Sequence, residues 1–343
     1  MPLESGSLVG CVVGGHYKVR RLIGQGGMGE VYAADGKTGE KVALKVLHEK
    51  AAQDPDLVAR FQREAEIAAR IKSPHVACIL GAGKDRNGRL WIAFERLVGE
   101  GLDERIRREQ YLSFADVAPI VDDALEGLDA AHTAGVIHRD IKPANLFIEK
   151  RALDEQQIAD GEPEERTRIL DFGVSKYRAR GARGNSEPSL TAIDATLGSF
   201  AYMAPEQVRG SARVDARADL YALGAVAFRA LTGRLPFEGA NALTLIALKL
   251  DREAPTLAST TGDDWPKGME RFLAKMMARE RDRRFASATE AIEAWRKVCK
   301  VMGNLPRRGP PKSVPFRDDE ADRTSPTFAG TLSGSHPAFR PSR

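Results

Sequence analysis

Between Tyr17 and Leu97 apolar and polar residues alternate in short runs. "YKVRRLIG" and "EVYAADG" flank the stretch "QGGMG", and a period of two on either side of a Gly-rich turn predicts a β-hairpin. "KVALKVLHE" predicts a third strand, and "RLWIAFERL" a later one. Between them, "DPDLVARFQREAEIAARI" sets Leu57, Phe61, Ala65, Ala68 and Ala69 at helical spacing. From Val98 onward the period changes. "FADVAPIVDDALEGLDAAHTAG" predicts a helix closed by Gly135. "VDARADLYALGAVAFRALTG" is apolar almost throughout and predicts a buried helix. "WPKGMERFLAKMMARE" and "SATEAIEAWRKV" predict amphipathic ones. The chain therefore reads as α+β, with a strand-rich unit at about 17–97 and a mainly helical unit at about 98–297. Residues 1–16 read as an N-terminal extension. Residues 298–343 lack periodicity and are rich in Pro, Ser and Arg, so a disordered tail is expected.

Composition changes this picture little. Of 343 residues, 42% are hydrophobic and 29% charged, as in ordinary globular proteins. The chain holds 52 basic and 48 acidic residues. Residues 300–343 hold eight and four of these, so residues 1–299 are formally neutral. That balance argues against nucleic acid as a partner. Cys11, Cys78 and Cys299 are scattered, which suits a reducing compartment and shows no metal-ligand spacing. No apolar run reaches the roughly 18 residues of a membrane span. "LVGC" at residues 8–11 has the form of a lipoprotein cleavage box but follows neither a basic residue nor a long apolar run. The chain is expected to be cytoplasmic, while a membrane span in a longer native chain stays open.

The chemistry begins at the hairpin. Gly24, Gly26 and Gly29 match G-x-G-x-x-G, a pattern weak by itself. A dinucleotide turn must lead into a helix, and a P-loop must end in Gly-Lys-Ser/Thr. Here Gly29 leads into strand-like "EVYAA", and Lys45 follows on the next strand. A backbone flap over phosphates with a Lys reaching in from the neighbouring strand fits better. Such a Lys needs orientation, and Glu64 in the predicted helix is the candidate partner. "VIHRDIKPANLFI" sets His138, Arg139, Asp140, Lys142 and Asn145 between apolar ends. An Asp there can accept or position a hydroxyl proton, an Asn carbonyl is a hard ligand for Mg²⁺, and a Lys can balance phosphoryl charge. In "ILDFGVS", Asp171 stands at a strand end beside a flexible Gly, as suits a metal ligand.

In this order the motifs resemble those of the eukaryotic-like (Hanks-type) protein kinases, and among them the bacterial Ser/Thr kinases. The resemblance covers about residues 17–297 and rests on Gly24-x-Gly26-x-x-Gly29-x-Val31, "VALK", "HRDIKPAN", "DFG" and "APE" at Ala204–Glu206. It implies a bilobal fold, with a small antiparallel-sheet N-lobe carrying one helix and a mainly helical C-lobe. It also implies an ATP site formed by Ile23, Gly24, Gln25, Gly26, Gly27, Met28, Gly29, Glu30, Val31, Ala43, Lys45, Glu95 and Leu97. Val31 and Ala43 would sandwich the adenine, Glu95–Leu97 would form the hinge, and Phe94 would stand behind it. Lys45 would contact phosphates and pair with Glu64. Asp140 would be the base, Lys142 would assist at the phosphoryl group, and Asn145 and Asp171 would hold Mg²⁺, with Mn²⁺ as an alternative. Asp219 would anchor the catalytic loop, and Glu206 would pair with Arg284.

The same resemblance implies transfer of the γ-phosphoryl group of Mg-ATP to Ser/Thr hydroxyls of protein substrates, with a transient homodimer for trans-autophosphorylation. Lys142 after "HRDI" is similar to Ser/Thr-specific members. "LGSFAYMAPE" resembles the loop that receives the acceptor, with Ser199 where Thr is more usual. Arg139 can pair with a phosphorylated residue of the activation segment, and Thr191 and Thr196 are the expected autophosphorylation sites. The connection between Phe147 and Ile169 is longer than the family's usual turn and is rich in charge, acidic residues outnumbering basic ones. It reads as a tolerated surface insertion or a docking loop. A nucleotide-binding scaffold and a small-molecule phosphotransferase are the alternatives.

Overall fold

A computed structural model describes residues 8–26, 29–48, 58, 61, 65, 66, 68–171, 197–210 and 214–303, and every structural statement concerns these. Six antiparallel strands form the first sheet: β1 (Val12–Val13), β2 (Tyr17–Gly26), β3 (Gly29–Asp35), β4 (Lys41–Leu47), β5 (Ile79–Lys84) and β6 (Leu90–Glu95). Their spatial order is β1-β2-β3-β4-β6-β5. Strand β4 explains the sheet. Its side chains alternate between faces, and both faces are buried. Val42, Leu44 and Val46 join a cluster with Val13, Tyr32 and Trp91. Ala43 and Leu47 join another with Val31, Ile92 and Phe94. Lys45, on the Ala43 face, is thereby directed to the side that also receives Phe147 and Leu170 from the second lobe. Phe61, Ala65 and Ala68 of the predicted helix are buried, whereas Ala69 is exposed beyond its last helical residue.

Two features depart from the sequence pattern. Residues 8–16 add β1 to the sheet edge and bury Leu8 and Val13. Three glycines at positive φ (Gly10, Gly14, Gly15) break up this stretch, so it carries no readable period. Strand β5, "ILGAGK", has an exposed or half-exposed burial pattern and two glycines, and so lacks an apolar signature.

A three-stranded sheet, β7 (Gly99–Gly101), β8 (Leu146–Lys150) and β9 (Glu165–Ile169), opens the second lobe. The helices are α1 (Leu102–Glu109), α2 (Phe114–Thr133), α3 (Glu155–Ala159), α4 (Leu197–Tyr202), α5 (Pro205–Val208), α6 (Arg217–Thr232), α7 (Ala242–Asp251), α8 (Leu257–Thr261), α9 (Lys267–Met276) and α10 (Ala288–Met302). Helix α6 is buried along its length apart from Arg217, as its unbroken apolar run predicts. It stops at Gly233, which takes the left-handed conformation that a residue without Cβ adopts at low cost. Helix α2 begins with a Ser113–Asp116 capping box and is followed by Gly135 at φ 76°. Helix α10 runs to Met302, past the expected boundary, because Val298 and Met302 are buried. Its Trp295 is fully buried and donates its indole N–H to Ala118 O at 3.1 Å. The long connection from β8 to β9 holds α3, capped by Asp154 and tied back by Arg151 to Glu162.

Candidate active site

The two lobes meet in a cleft lined by Ala43, Ala77, Phe94, Glu95, Arg96, Leu97, Leu170 and Asp171. Above it lies the β2–β3 hairpin, where Gly24 pairs with Val31, Gln25 with Glu30 and Gly26 with Gly29. Val31 stands directly across the ladder from Lys45 and is buried with Ala43; Ile23 and Leu97 pack on the same cluster. An apolar slot thus sits beside a basic side chain. Gly27, Met28 and Glu64 lie outside the described residues.

Lys45 is 5% exposed. Its ammonium donates to Asp171 Oδ1 at 2.6 Å and also to Oδ2. The carboxylate partner that the structure gives Lys45 is therefore Asp171. Asp171 adopts φ +56°, a conformation uncommon for a residue with a side chain. Arg139, at φ +65°, does the same one residue before Asp140. Backbone strain of this kind persists where surrounding bonds over-determine it, and those bonds are present. Buried Asp219 accepts from the N–H groups of His138 (2.9 Å) and Arg139 (2.7 Å), and lies 2.9 Å from His132 Nε2. His138, fully buried, accepts from Asp140 N–H at Nδ1. Its Nε2 must then carry the ring proton, which it donates to Leu170 O at 2.8 Å.

Lys142 Nζ is 3.5 Å from Asp140 Oδ2. Asn145 donates its side-chain N–H to Asp140 O at 2.7 Å, and its backbone oxygen accepts from Leu170 N–H at 2.9 Å. The second bond sets residue 145 beside residue 171. With its amide nitrogen committed to Asp140, Asn145 presents its carbonyl oxygen. This oxygen and the Asp171 carboxylate form a hard pair that fits a small divalent cation completed by phosphate and water. Further down, Arg284 grips Glu206 with two bonds of 2.8 Å. Gln207 accepts from Ala204 N–H and donates to Arg139 O, both at 2.9 Å, so the "APE" segment is tied to the loop that carries Asp140.

The structure brings Lys45, Asp140, Lys142, Asn145 and Asp171 to one cleft, with Asp219 beneath. Glu95 lines the cleft, but its carboxylate is spent on Cys78 N–H (2.6 Å) and on Arg168. Arg168 was not legible in the sequence. It also binds Val76 O and Glu149, both at 3.1 Å, and so fastens Val76 and Glu95 to β8 and β9. A charged residue two positions before "LD" is its only sequence signal. Thr191 and Thr196 lie outside the described residues, as do Phe172 and Gly173. Among the described residues no helix is long and apolar enough to cross a membrane.

The protein kinase domain family profile matches residues 17–295. The chain is 36% identical over 310 residues to the serine/threonine-protein kinase pkn3 of Myxococcus xanthus, covering 89% of this chain and 54% of the relative. It is 36% identical over 280 residues to the serine/threonine-protein kinase PknJ of Mycobacterium tuberculosis, covering 81% and 44%. It spans about half the length of such relatives. Among solved structures, the kinase domain of M. tuberculosis PknI is similar at a TM-score of 0.63 and 29% identity, over 84% of this chain and 99% of that one.

Proposed function

This chain belongs to the protein kinase family, and we propose that it transfers the γ-phosphoryl group of ATP to serine and threonine hydroxyls of protein substrates. The observation that carries the proposal is the loop holding Asp140, Lys142 and Asn145, bonded to Asp219 below and to Leu170 beside Asp171. Five polar groups needed for phosphoryl transfer converge where an apolar slot can take a base.

Asp140 positions the acceptor hydroxyl and takes its proton. Lys142 offsets charge on the phosphoryl group as it moves. Lys45, released from Asp171, reaches the nucleotide phosphates, and Glu64 is its proposed partner in that state. The hairpin from Ile23 to Val31 covers the nucleotide, and Ala43 and Leu97 pack against its base. Asn145 and Asp171 would hold Mg²⁺, or Mn²⁺ in its place, which supplies charge neutralisation between phosphates. Little covalent chemistry is asked of the protein, so positioning and electrostatics account for the rate. Kinase-domain boundaries near 17 and 297, a cytoplasmic location, a transient homodimer and phosphorylation at Thr191 and Thr196 belong to the same proposal.

The test is incubation with labelled ATP, Mg²⁺ and a generic basic protein. The expected result is transfer that Lys45→Met abolishes, with phosphopeptides containing Thr191 or Thr196. Nucleotide binding without transfer would instead mark a scaffold, and transfer confined to a metabolite a small-molecule enzyme.

A further inference from the structure

Lys249, on α7, is 1% exposed. Its ammonium donates to Ala201 O at 2.6 Å and to Met203 O at 2.8 Å. Two aromatic rings flank it, those of Tyr221 and Phe237, centred 5.2 and 5.9 Å away. The charged and titratable groups beside it are Tyr221 on α6 and Arg284 before α10, which itself engages Glu206 on α5. Among the described residues no carboxylate pairs with Lys249. Burial, with Arg284 nearby, pulls its ammonium down to about 7.

A buried cation that no carboxylate among the described residues pairs with is costly, and a Met would fill the same space at lower cost. What the charge gains is a grip on carbonyls at the C-terminal end of α4. Such carbonyls lack helical partners, and the helix dipole favours a cation there. From this grip the contacts run toward the chemistry. Ala204 follows Met203, Ala204 N–H bonds Gln207, and Gln207 bonds Arg139 O, next to Asp140.

We propose that Lys249 is a positioning residue for the protein substrate: it clamps Ala201 and Met203 and so sets the segment on which the acceptor hydroxyl is presented to Asp140. This rests on the phosphotransfer reading above. Lys249 touches neither the nucleotide slot nor the groups expected to hold metal, so its influence falls on the acceptor side.

The test is steady-state kinetics with an acceptor peptide that has no group titrating between about pH 6 and 9. For Lys249→Met, the acceptor KM should rise roughly tenfold, the scale of one charge-assisted hydrogen bond, while the ATP KM stays within about twofold. In the wild type the acceptor KM should rise from about pH 6 to 8.5, as the amine loses its proton through a value near 7. The Met variant should show no such slope. Folding stability moves the other way. The unfolded Lys holds its proton up to about 10.4, so between that value and the native one the unfolded state binds more protons and this group's contribution to stability rises with pH. A merely structural Lys249 would change stability with pH but leave the acceptor KM of the folded enzyme flat over this range. An unchanged acceptor KM in the Met variant, or a pH-independent one in the wild type, overturns the proposal. If the Met variant does not fold, the wild-type pH profile decides. A wild type that binds ATP but transfers nothing overturns the kinase reading and this proposal together; an active wild type with unchanged acceptor KM in the variant overturns this proposal alone.

Discussion

Lys45 and Asp171 neutralise each other in this structure, although the proposed function gives each a different ligand. On the proposed reading phosphates would call on Lys45 and a divalent cation on Asp171, so either ligand alone would strand the other group's charge in a cleft where both are largely buried. Nucleotide and cation should therefore bind with positive coupling. Calorimetric titration of ATP with and without Mg²⁺ should show at least about a fivefold difference in affinity, the lower end of typical coupling. Equal affinities would contradict this. Asp140, Lys142 and Asn145 are legible in the sequence because they share one short loop, where spacing alone fixes neighbours. The Lys45–Asp171 pair is not, because its members lie 126 residues apart and only the β4 register and the strained turn at Asp171 bring them together. Arg168 is hidden for the same reason: its partners Val76, Glu95 and Glu149 come from three separate segments.

Among the elements, α6 does most to hold the site. Its buried length fixes Asp219, and Asp219 accepts the backbone N–H groups of His138 and Arg139, next to Asp140. Asp219→Ala leaves both donors without their acceptor in a buried setting, at about 1–3 kcal/mol each. Chemical denaturation should show a loss of about 2–6 kcal/mol for the two together, and transfer should fall with it. Unchanged stability and unchanged transfer would rule out the anchoring role. Helix α6 is easily read from its apolar run, and the hairpin strands from their alternation around glycines. Edge elements are harder. Strand β1 has two residues and β5 is half-exposed, so neither has enough buried side chains to impose a period. Nothing in the sequence of α7 marks its Lys249 as buried, and only tertiary packing shows it.

In the whole molecule, the lobes share apolar contacts at Phe147 and Leu170 and a polar fastening at Arg168, so the cleft geometry depends on both lobes. The connection between β8 and β9 lies apart from that joint. Deleting residues 152–163 should leave ATP affinity and transfer to a generic substrate within about twofold, because such surface excursions add little to loop closure. Loss of nucleotide binding would show instead that the connection supports the cleft. The division into a strand-rich and a helical unit was legible from a change of period near Val98. How the units face each other was not, since that depends on contacts between distant segments such as the Val76–Ile169 bridge. The central claim is that Asp140 acts on the acceptor hydroxyl in ATP-dependent transfer to protein. Its most direct test is the rate of Mg²⁺-dependent phosphate transfer by wild type and Asp140→Asn at saturating ATP. The account predicts a fall of about 10²–10⁴-fold with ATP affinity kept, the range typical of a lost general base; equal rates in the two proteins would contradict it.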